Sequence, residues 1–237
     1  SYQVEILAQY AVKSLHSKKA AIITASDCAY CEDVAATIKK SYESYGGKIV
    51  YDIPILSNQK DFQKVLKPYD FGRVDAIIVP NQEMTSARVI AYLLKQGINK
   101  IFLGGDGWRT LGNIHKTTYG KKFSGYMMAH WAQSHKTKKS QEFVRAYRSR
   151  FKMEPTDSAV LGYDAMLMAG EALLSIQNGI YTRESFKEAL CKLKTLSGVT
   201  GTFIFRKNQA PAKSILLMKS SPHGFVIDKI LEPVSNL

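Results

Sequence analysis

A carboxylate set among glycines is the feature of this sequence that could most clearly bind a ligand. Residues 104–108 read Gly-Gly-Asp-Gly-Trp and follow an apolar run that ends at Leu103, so Asp106 comes just after a predicted strand. Open α/β sheets bind ligands at the carboxyl ends of their strands. The alternative is a tight turn in which Asp106 caps the next helix. Two other loops at equivalent strand ends favour the ligand-binding interpretation.

Cys28 and Cys31 form a second candidate site, because they follow a predicted strand and open a predicted helix. Thioredoxin-like enzymes carry their redox cysteines in such a position, where a helix N-terminus lowers the pKa of a thiol. Against redox catalysis, Glu32 and Asp33 place negative charge beside the thiol, and the second half of a thioredoxin fold does not follow. A thiol-disulfide oxidoreductase is therefore the less favoured alternative. We expect a local disulfide or two free thiols, without catalysis.

No other residues in the sequence indicate catalysis or a bound cofactor. Four histidines do not stand at metal-ligand spacing from carboxylates or cysteines: His115, His130, His135 and His223. There is no glycine-rich phosphate loop and no serine nucleophile motif, and Asp106 has no second carboxylate nearby in the sequence. We therefore expect no enzyme activity, no metal and no cofactor.

The composition is that of a globular protein with a basic surface. Of 237 residues, 45% are hydrophobic and 22% are charged, and the formal net charge is +13. The basic residues are scattered and no nucleic-acid-binding module occurs, so we interpret the charge as solvated surface and expect no nucleic-acid partner. No apolar run is long enough to span a bilayer. Residues 1–15 have an amphipathic helical pattern, so a signal peptide was either removed or never present.

The candidate residues must be positioned by strands and helices that alternate along the first half of the chain. Continuous apolar runs are typical of parallel strands buried on both faces. Such runs occur at 20–25, 49–53, 76–79 and 100–103, and helical patterns separate them at 31–45, 61–66 and 85–95. This alternation with short connections predicts a doubly wound parallel sheet. We therefore predict one complete α/β lobe over residues 18–128.

After Gly125 the pattern changes from alternation to helices followed by strands. An extended segment at 126–131 precedes predicted helices at 138–151, 158–177 and 183–193 and predicted strands at 198–205, 214–218 and 225–230. The helix at 158–177 is apolar nearly all round, and such a helix has to be buried on most sides. The rest of the chain offers little to bury it.

Short motifs follow one another in a characteristic order over nearly the whole chain. They are Tyr30, Asp61-Phe62, Gly97, the stretch 104–108, Gly125-Tyr126, Tyr163-Asp164-Ala165 and the stretch 198–205. Together they resemble the periplasmic binding proteins of the branched-chain amino acid class, the substrate-binding subunits of ABC importers. One departure is that the family commonly has Tyr-Gly-x-Gly at the start of the first helix. Here the sequence is Tyr-Cys-Glu-Asp from Tyr30 to Asp33.

The resemblance implies an α/β fold of two lobes joined by three crossover strands, with the ligand in the cleft between them. On this basis residues 1–17 are a helix leading in from the hinge, and 18–128 are the complete second lobe. Residues 129–197 are the helical part of an incomplete first lobe, and 198–237 are C-terminal crossover strands. The N-terminal half of the first lobe would be missing, so the sequence resembles a fragment or a truncated family member.

The resemblance matches three residues to ligand-contacting positions, and we assign two neighbours of Asp106, Gly105 and Trp108, to the candidate site with them. Asp106 matches an acidic residue that accepts hydrogen bonds from the ligand ammonium, and Tyr30 matches an aromatic residue that packs on the ligand. Gln82 stands where many members have another aromatic residue, which disfavours a purely aliphatic side-chain preference. Gly105 adjoins Asp106. Trp108 either lines the cleft or packs under the loop.

The function that the resemblance implies is extracytoplasmic capture of a small polar ligand, an amino acid or a related compound, for ABC-type import. The partners would be that ligand and a membrane permease, and the location the periplasm or the extracellular face, with a lipid-anchored precursor as one option. A ligand-sensing domain of a receptor or regulator is the alternative. If residues 1–237 are the entire chain, ligand binding should be weak, and the helix at 158–177 should drive formation of a homodimer.

Overall fold

The computed structural model describes residues 2–108, 111–176, 179–205 and 211–231. Within these residues the helices are α1 (Tyr2–Lys13), α2 (Ala29–Ser44), α3 (Phe62–Leu66), α4 (Glu83–Lys95), α5 (Lys138–Phe151), α6 (Asp157–Leu174) and α7 (Arg183–Lys192). The strands are β1 (Lys19–Ala25), β2 (Lys48–Ile55), β3 (Ala76–Ile78), β4 (Ile101–Gly104), β5 (Ser124–Ala129), β6 (Thr195–Ser197), β7 (Thr202–Ile204), β8 (Ala212–Lys213), β9 (Ile215–Ser221) and β10 (Gly224–Leu231). None of the helices in the described part of the chain has the length and apolar composition that a membrane span requires.

Seven strands form the main sheet, in the order β10-β9-β5-β4-β3-β1-β2. β1 lies parallel to β2 and β3, β3 lies parallel to β4, and β4 lies parallel to β5. Ile22 is aligned with Ile78 in the β1–β3 pair. Every residue of β1 after Lys19 is buried, which explains why the rest of this strand contains only Ala, Ile and Thr. The predicted parallel, doubly wound sheet is thus confirmed.

Helix α2 lies against this sheet through one buried face. Cys31, Ile38 and Tyr42 are its buried residues, at spacings that place them on one side of a helix. The Tyr42 hydroxyl donates a hydrogen bond to the backbone oxygen of Ser17 at 2.9 Å. Just beyond the C-terminal end of α2, Gly46 has a φ of +91°, which glycine adopts without steric cost. These contacts hold the C-terminal half of α2 in place through Tyr42.

The chain divides into two compact units, Ser1–Ala129 with Leu217–Asp228 and His130–Leu216 with Lys229–Leu237. This division differs from the predicted one at two places. α1, which lies in the stretch predicted as a helix leading in from the hinge, packs against α2 and groups with the first unit. β6, β7 and β8 form a three-stranded antiparallel sheet of their own. The block predicted at 198–237 is therefore divided, since only its later strands, β9 and β10, belong to the seven-stranded sheet.

Helix α6 leaves much of its apolar surface exposed among the described residues. Its buried residues are Val160, Asp164 and Ala172, whereas Met166 is 71% exposed and Leu174 is 83% exposed. The helix ends at Leu174, and residue 177, the predicted end, lies outside the described residues. The sequence pattern therefore predicted the apolar character of this helix and, among the described residues, the exposure of part of its apolar surface.

A buried carboxylate connects α6 to the turn before β7. Asp164 is 1% exposed, and its carboxylate accepts hydrogen bonds from the backbone nitrogens of Val199 (2.6 Å) and Thr200 (2.9 Å) and from the Thr200 hydroxyl (2.7 Å). The Lys213 amine donates to the Thr200 hydroxyl at 2.7 Å. Burial lowers the pKa of Lys213 to about 8, although the charge of Asp164 acts in the opposite direction. A Cβ on Gly198 would lie 2.7 Å from Asp164 Oδ2, so this position requires glycine.

Candidate ligand-binding site

Three loops that the sequence singled out lie side by side at one edge of the main sheet. They follow β1, β3 and β4, which are neighbours in the order β4-β3-β1. Because these strands are parallel, their carboxyl ends meet at the same edge. The loops at 26–30, 80–82 and 105–108 therefore bring Tyr30, Gln82 and Asp106 to one region of the first unit.

Tyr30 and Asp106 are joined directly. The Tyr30 hydroxyl donates a hydrogen bond to Asp106 Oδ1 at 3.0 Å, and the Tyr30 side chain remains 47% exposed. Desolvation by burial, followed by the charge of Asp106, raises the pKa of Tyr30 to about 12. The phenol therefore keeps its proton at neutral pH and acts as a donor. A Cβ on Gly105 would lie 3.8 Å from the same hydroxyl, an ordinary contact distance.

Trp108 supports the loop from below. Its side chain is fully buried, and its indole nitrogen donates to the backbone oxygen of Val79 at 3.1 Å. A Cβ on Gly104 would lie 2.0 Å from a ring carbon of Trp108, so the glycine makes room for the ring. Of the two positions considered for Trp108, the structure has the buried one. Its assignment as a ligand contact is corrected, because a buried ring presents no surface to a ligand.

Gln82 lies beside the Asp106 loop with an exposed side chain. It is the residue before α4, and its side chain makes no capping hydrogen bond to that helix. A Cβ on Gly107 would lie 3.3 Å from the Asn81 backbone oxygen and 3.6 Å from Gln82 Cα. The two loops therefore approach each other through their backbones, and glycine at position 107 relieves crowding between them.

Asn81 is a site-building residue to which sequence reasoning gave no role. It is buried, and its amide oxygen accepts a hydrogen bond from the Ala25 nitrogen at 2.8 Å, while its amide nitrogen donates to the Ile23 oxygen at 2.9 Å. Its backbone oxygen accepts from the Ser86 hydroxyl at 2.9 Å. Asn81 thus fastens the loop after β3 to the end of β1. A polar residue shortly after a buried strand, separated from it by Val79 and Pro80, was the signal that could have identified it.

The space behind these loops is small. A cavity of about 30 Å³ is lined by Tyr30, Gly105 and Asp106 together with Leu7 and Met128. This volume holds roughly one water molecule. This cavity is therefore too small for a ligand of amino acid size.

The structure also places a disulfide and a larger groove. Cys28 and Cys31 form a disulfide with their Cα atoms 5.2 Å apart, which is one of the two alternatives considered for these cysteines. In the second unit, a groove of about 810 Å³ is lined by aromatic residues of α5 and α6, among them Phe143, Tyr147 and Tyr163. In the part of the chain that the structure describes, no three His, Cys, Asp or Glu side chains lie close enough together to hold a metal ion.

Residues 1–224 of the chain match a protein family described as periplasmic binding protein. The chain therefore belongs to the periplasmic binding protein family. No curated protein matches it.

Solved structures of ABC transporter binding proteins share this fold. A leucine-binding protein, LivK, from Thermotoga maritima matches with a TM-score of 0.84 and 20% identity, over 98% of this chain and 65% of its own. LivJ from Streptococcus pneumoniae, a branched-chain amino acid transporter substrate-binding protein in complex with isoleucine, matches with a TM-score of 0.78 and 25% identity, over 98% and 65%. A solute-binding protein from R. palustris in complex with benzoate matches with a TM-score of 0.80 and 18% identity, over 98% and 63%. The chain thus spans slightly less than two thirds of the length of these relatives.

Proposed function

We propose that this chain belongs to an extracytoplasmic solute-binding protein that captures an amino acid, or a related compound with an amine, for ABC-type import. The observation that carries the proposal is the hydrogen bond from Tyr30 to Asp106 at the carboxyl edge of the parallel sheet. Family membership supports the same class of function.

The chemistry of the pair favours a cationic group on the ligand. Asp106 is partly exposed, and an ammonium group that reaches its carboxylate forms a charge-assisted hydrogen bond, which is stronger than a neutral one. The Tyr30 hydroxyl orients the carboxylate before the ligand arrives, which reduces the entropy lost on binding. The exposed part of the Tyr30 ring is available to pack on the ligand, and Gly105 leaves the approach open.

The relatives' ligands differ in the charged group that Asp106 would distinguish. Leucine and isoleucine carry an ammonium, whereas benzoate carries a carboxylate and no positive charge. A carboxylate held beside Asp106 would be repelled, and the repulsion grows as water is excluded. This repulsion supports the proposal of an amino acid, and not an aromatic acid, as the ligand. The exposed amide of Gln82 supports a ligand with polar atoms.

Titration calorimetry with a panel of L-amino acids and with benzoate tests the proposal. We expect binding of one or more amino acids, and a loss of affinity of roughly 10- to 100-fold in Asp106→Asn, because a hydrogen bond to a charged group contributes about 1.5–3 kcal/mol. Glu43→Gln is the matched control, since Glu43 is an exposed carboxylate at the far end of α2. Binding of benzoate without any amino acid, or amino acid binding that Asp106→Asn leaves unchanged, would contradict the proposal.

The proposed function implies a membrane permease as partner and a location outside the cytoplasm. Uptake of the labelled amino acid that binds best should be lost when the gene is deleted and restored by the intact gene. Uptake that deletion leaves unchanged, together with retained binding, would favour the sensor alternative.

We also propose that α6 is covered by a second copy of this chain when the chain is produced by itself. Met166 and Leu174 are large apolar side chains with most of their surface exposed, and the adjoining groove is lined by aromatic rings. Monomeric proteins rarely expose contiguous apolar patches of this kind. A two-fold dimer would set the same face against itself and bury it in both copies.

A further inference from the structure

The Cys28–Cys31 disulfide lies in the first turn of α2 and brackets Tyr30. Cys28 is the N-cap residue of α2, and its sulfur accepts a hydrogen bond from the Cys31 backbone nitrogen at 3.3 Å. Cys31 is buried, whereas Cys28 is partly exposed. One end of the bridge is therefore anchored in the core under α2, and the other end lies in the loop that leads to Tyr30.

The first turn of α2 depends on local interactions for its position. The first backbone N–H groups of a helix have no partner within the helix, so first turns fray unless they are capped. Cysteine is not among the residues that cap helices strongly, and the neighbours Glu32 and Asp33 are exposed. Before the turn, the exposed Asp27 carboxylate accepts hydrogen bonds from the backbone nitrogen and the hydroxyl of Ser57 at 2.7 and 2.8 Å. The loop is thus fixed at Asp27, and the disulfide fixes the residues that follow.

The short span of the bridge points to a local role. The stability that a disulfide gives by constraining the unfolded chain grows with the length of the loop it closes, and only two residues separate Cys28 from Cys31. One of those two residues is Tyr30, whose hydroxyl reaches Asp106. The bridge therefore restrains the backbone of the residue whose placement matters for the candidate site.

We propose that the Cys28–Cys31 disulfide is a positioning element of the ligand site, which holds Tyr30 in line with Asp106 so that reduction of the bridge weakens ligand binding. This inference rests on the proposed function. Reduction by dithiothreitol begins with attack of its thiolate on the partly exposed Cys28 sulfur. The sulfur–sulfur bond breaks, two electrons and two protons pass to the two cysteines, and dithiothreitol becomes its cyclic disulfide.

The test compares the oxidised and reduced protein in a Cys191→Ser background, because Cys191 is an exposed free thiol. L-leucine is the titrated ligand in calorimetry, and amide hydrogen exchange of residues 29–34 is measured on the same samples without ligand. We expect reduction to weaken L-leucine binding about tenfold, equivalent to about 1.4 kcal/mol, and to speed exchange in these residues. In a Tyr30→Phe background, reduction should produce no further loss of affinity.

The outcomes separate this inference from the proposed function. A tenfold loss that is the same in the Tyr30→Phe background overturns the positioning role, because general loosening of the lobe would act in both backgrounds. Unchanged affinity and unchanged exchange after reduction also overturn it. Absence of L-leucine binding and of binding to the other amino acids in either form overturns the proposed function. The exchange measurement then still decides whether the bridge holds the Tyr30 turn.

Discussion

Removing the buried carboxylate of Asp164 should destabilise the second unit strongly. Asp164→Ala eliminates three hydrogen bonds and leaves the backbone nitrogens of Val199 and Thr200 without the acceptor that they have at 2.6 and 2.9 Å. Each buried unsatisfied donor costs about 1–3 kcal/mol, and the Lys213 amine loses the nearby opposite charge. We expect the free energy of unfolding to fall by about 4 kcal/mol, a large part of the roughly 5–15 kcal/mol typical of a domain.

Asp164→Asn separates the loss of hydrogen bonds from the loss of volume. Its amide oxygen can accept from one of the two backbone nitrogens, while its NH₂ group must face a donor. We therefore expect an intermediate loss of about 2 kcal/mol. Glu171→Gln makes the same charge change at an exposed position of α6, and surface substitutions of this kind usually alter stability by less than about 0.5 kcal/mol.

The chain offers a spectroscopic reporter for this measurement. It contains two tryptophans, and Trp131 packs with Phe143, Val160 and Val199 in the core of the second unit. A Trp108→Phe background leaves Trp131 as the single fluorescent indole, and urea unfolding followed at this residue reports on the unit that contains Asp164. A decrease of less than about 1 kcal/mol for Asp164→Ala would refute the reasoning, since it would mean that the two backbone donors find other partners.

Two further predictions concern the second unit. Burial lowers the pKa of Lys213 to about 8 in the folded protein, whereas a lysine in the unfolded chain has a pKa of about 10.4. Between these two pH values the unfolded chain therefore binds more protons than the folded protein. The free energy of unfolding should therefore rise with pH in urea titrations from pH 8 to 9.5, and this rise should be absent in Lys213→Met. Equal pH dependence of the unfolding free energy in the wild type and in Lys213→Met would contradict the prediction. Sedimentation velocity should show a concentration-dependent dimer that Met166→Lys shifts toward monomer, whereas a wild-type chain that stays monomeric would exclude self-association through α6.

The parts of the fold that could be predicted from the sequence are those in which burial determines composition on its own. β1 is buried on both faces, so its apolar run identified it as a parallel strand before its partners were known. The sheet of β6, β7 and β8 was not predicted as a separate element. Its strands have only two or three residues, and a periodic pattern cannot be recognised over so short a length.

For the candidate site, the sequence likewise predicted where residues lie along the chain but not which side chains contact one another. The sequence indicated that Asp106 follows a strand, because an apolar run and glycines precede it. It could not decide on which side of the loop Trp108 lies, since that depends on the space left by Gly104 and on the acceptor at Val79. Tyr30 and Asp106 are 76 residues apart in sequence, and no local pattern reports a hydrogen bond over that separation.

The residues that fix the geometry of this site therefore have no binding chemistry of their own. Asn81 holds the loop after β3 to β1 through two buried hydrogen bonds, and Trp108 fills the space beneath the loop that carries Asp106. A displacement of about 1 Å is enough to misalign a carboxylate and its partner, so precise binding depends on such supporting residues. It follows that the proposed ligand site on the first unit is held in place largely by buried residues.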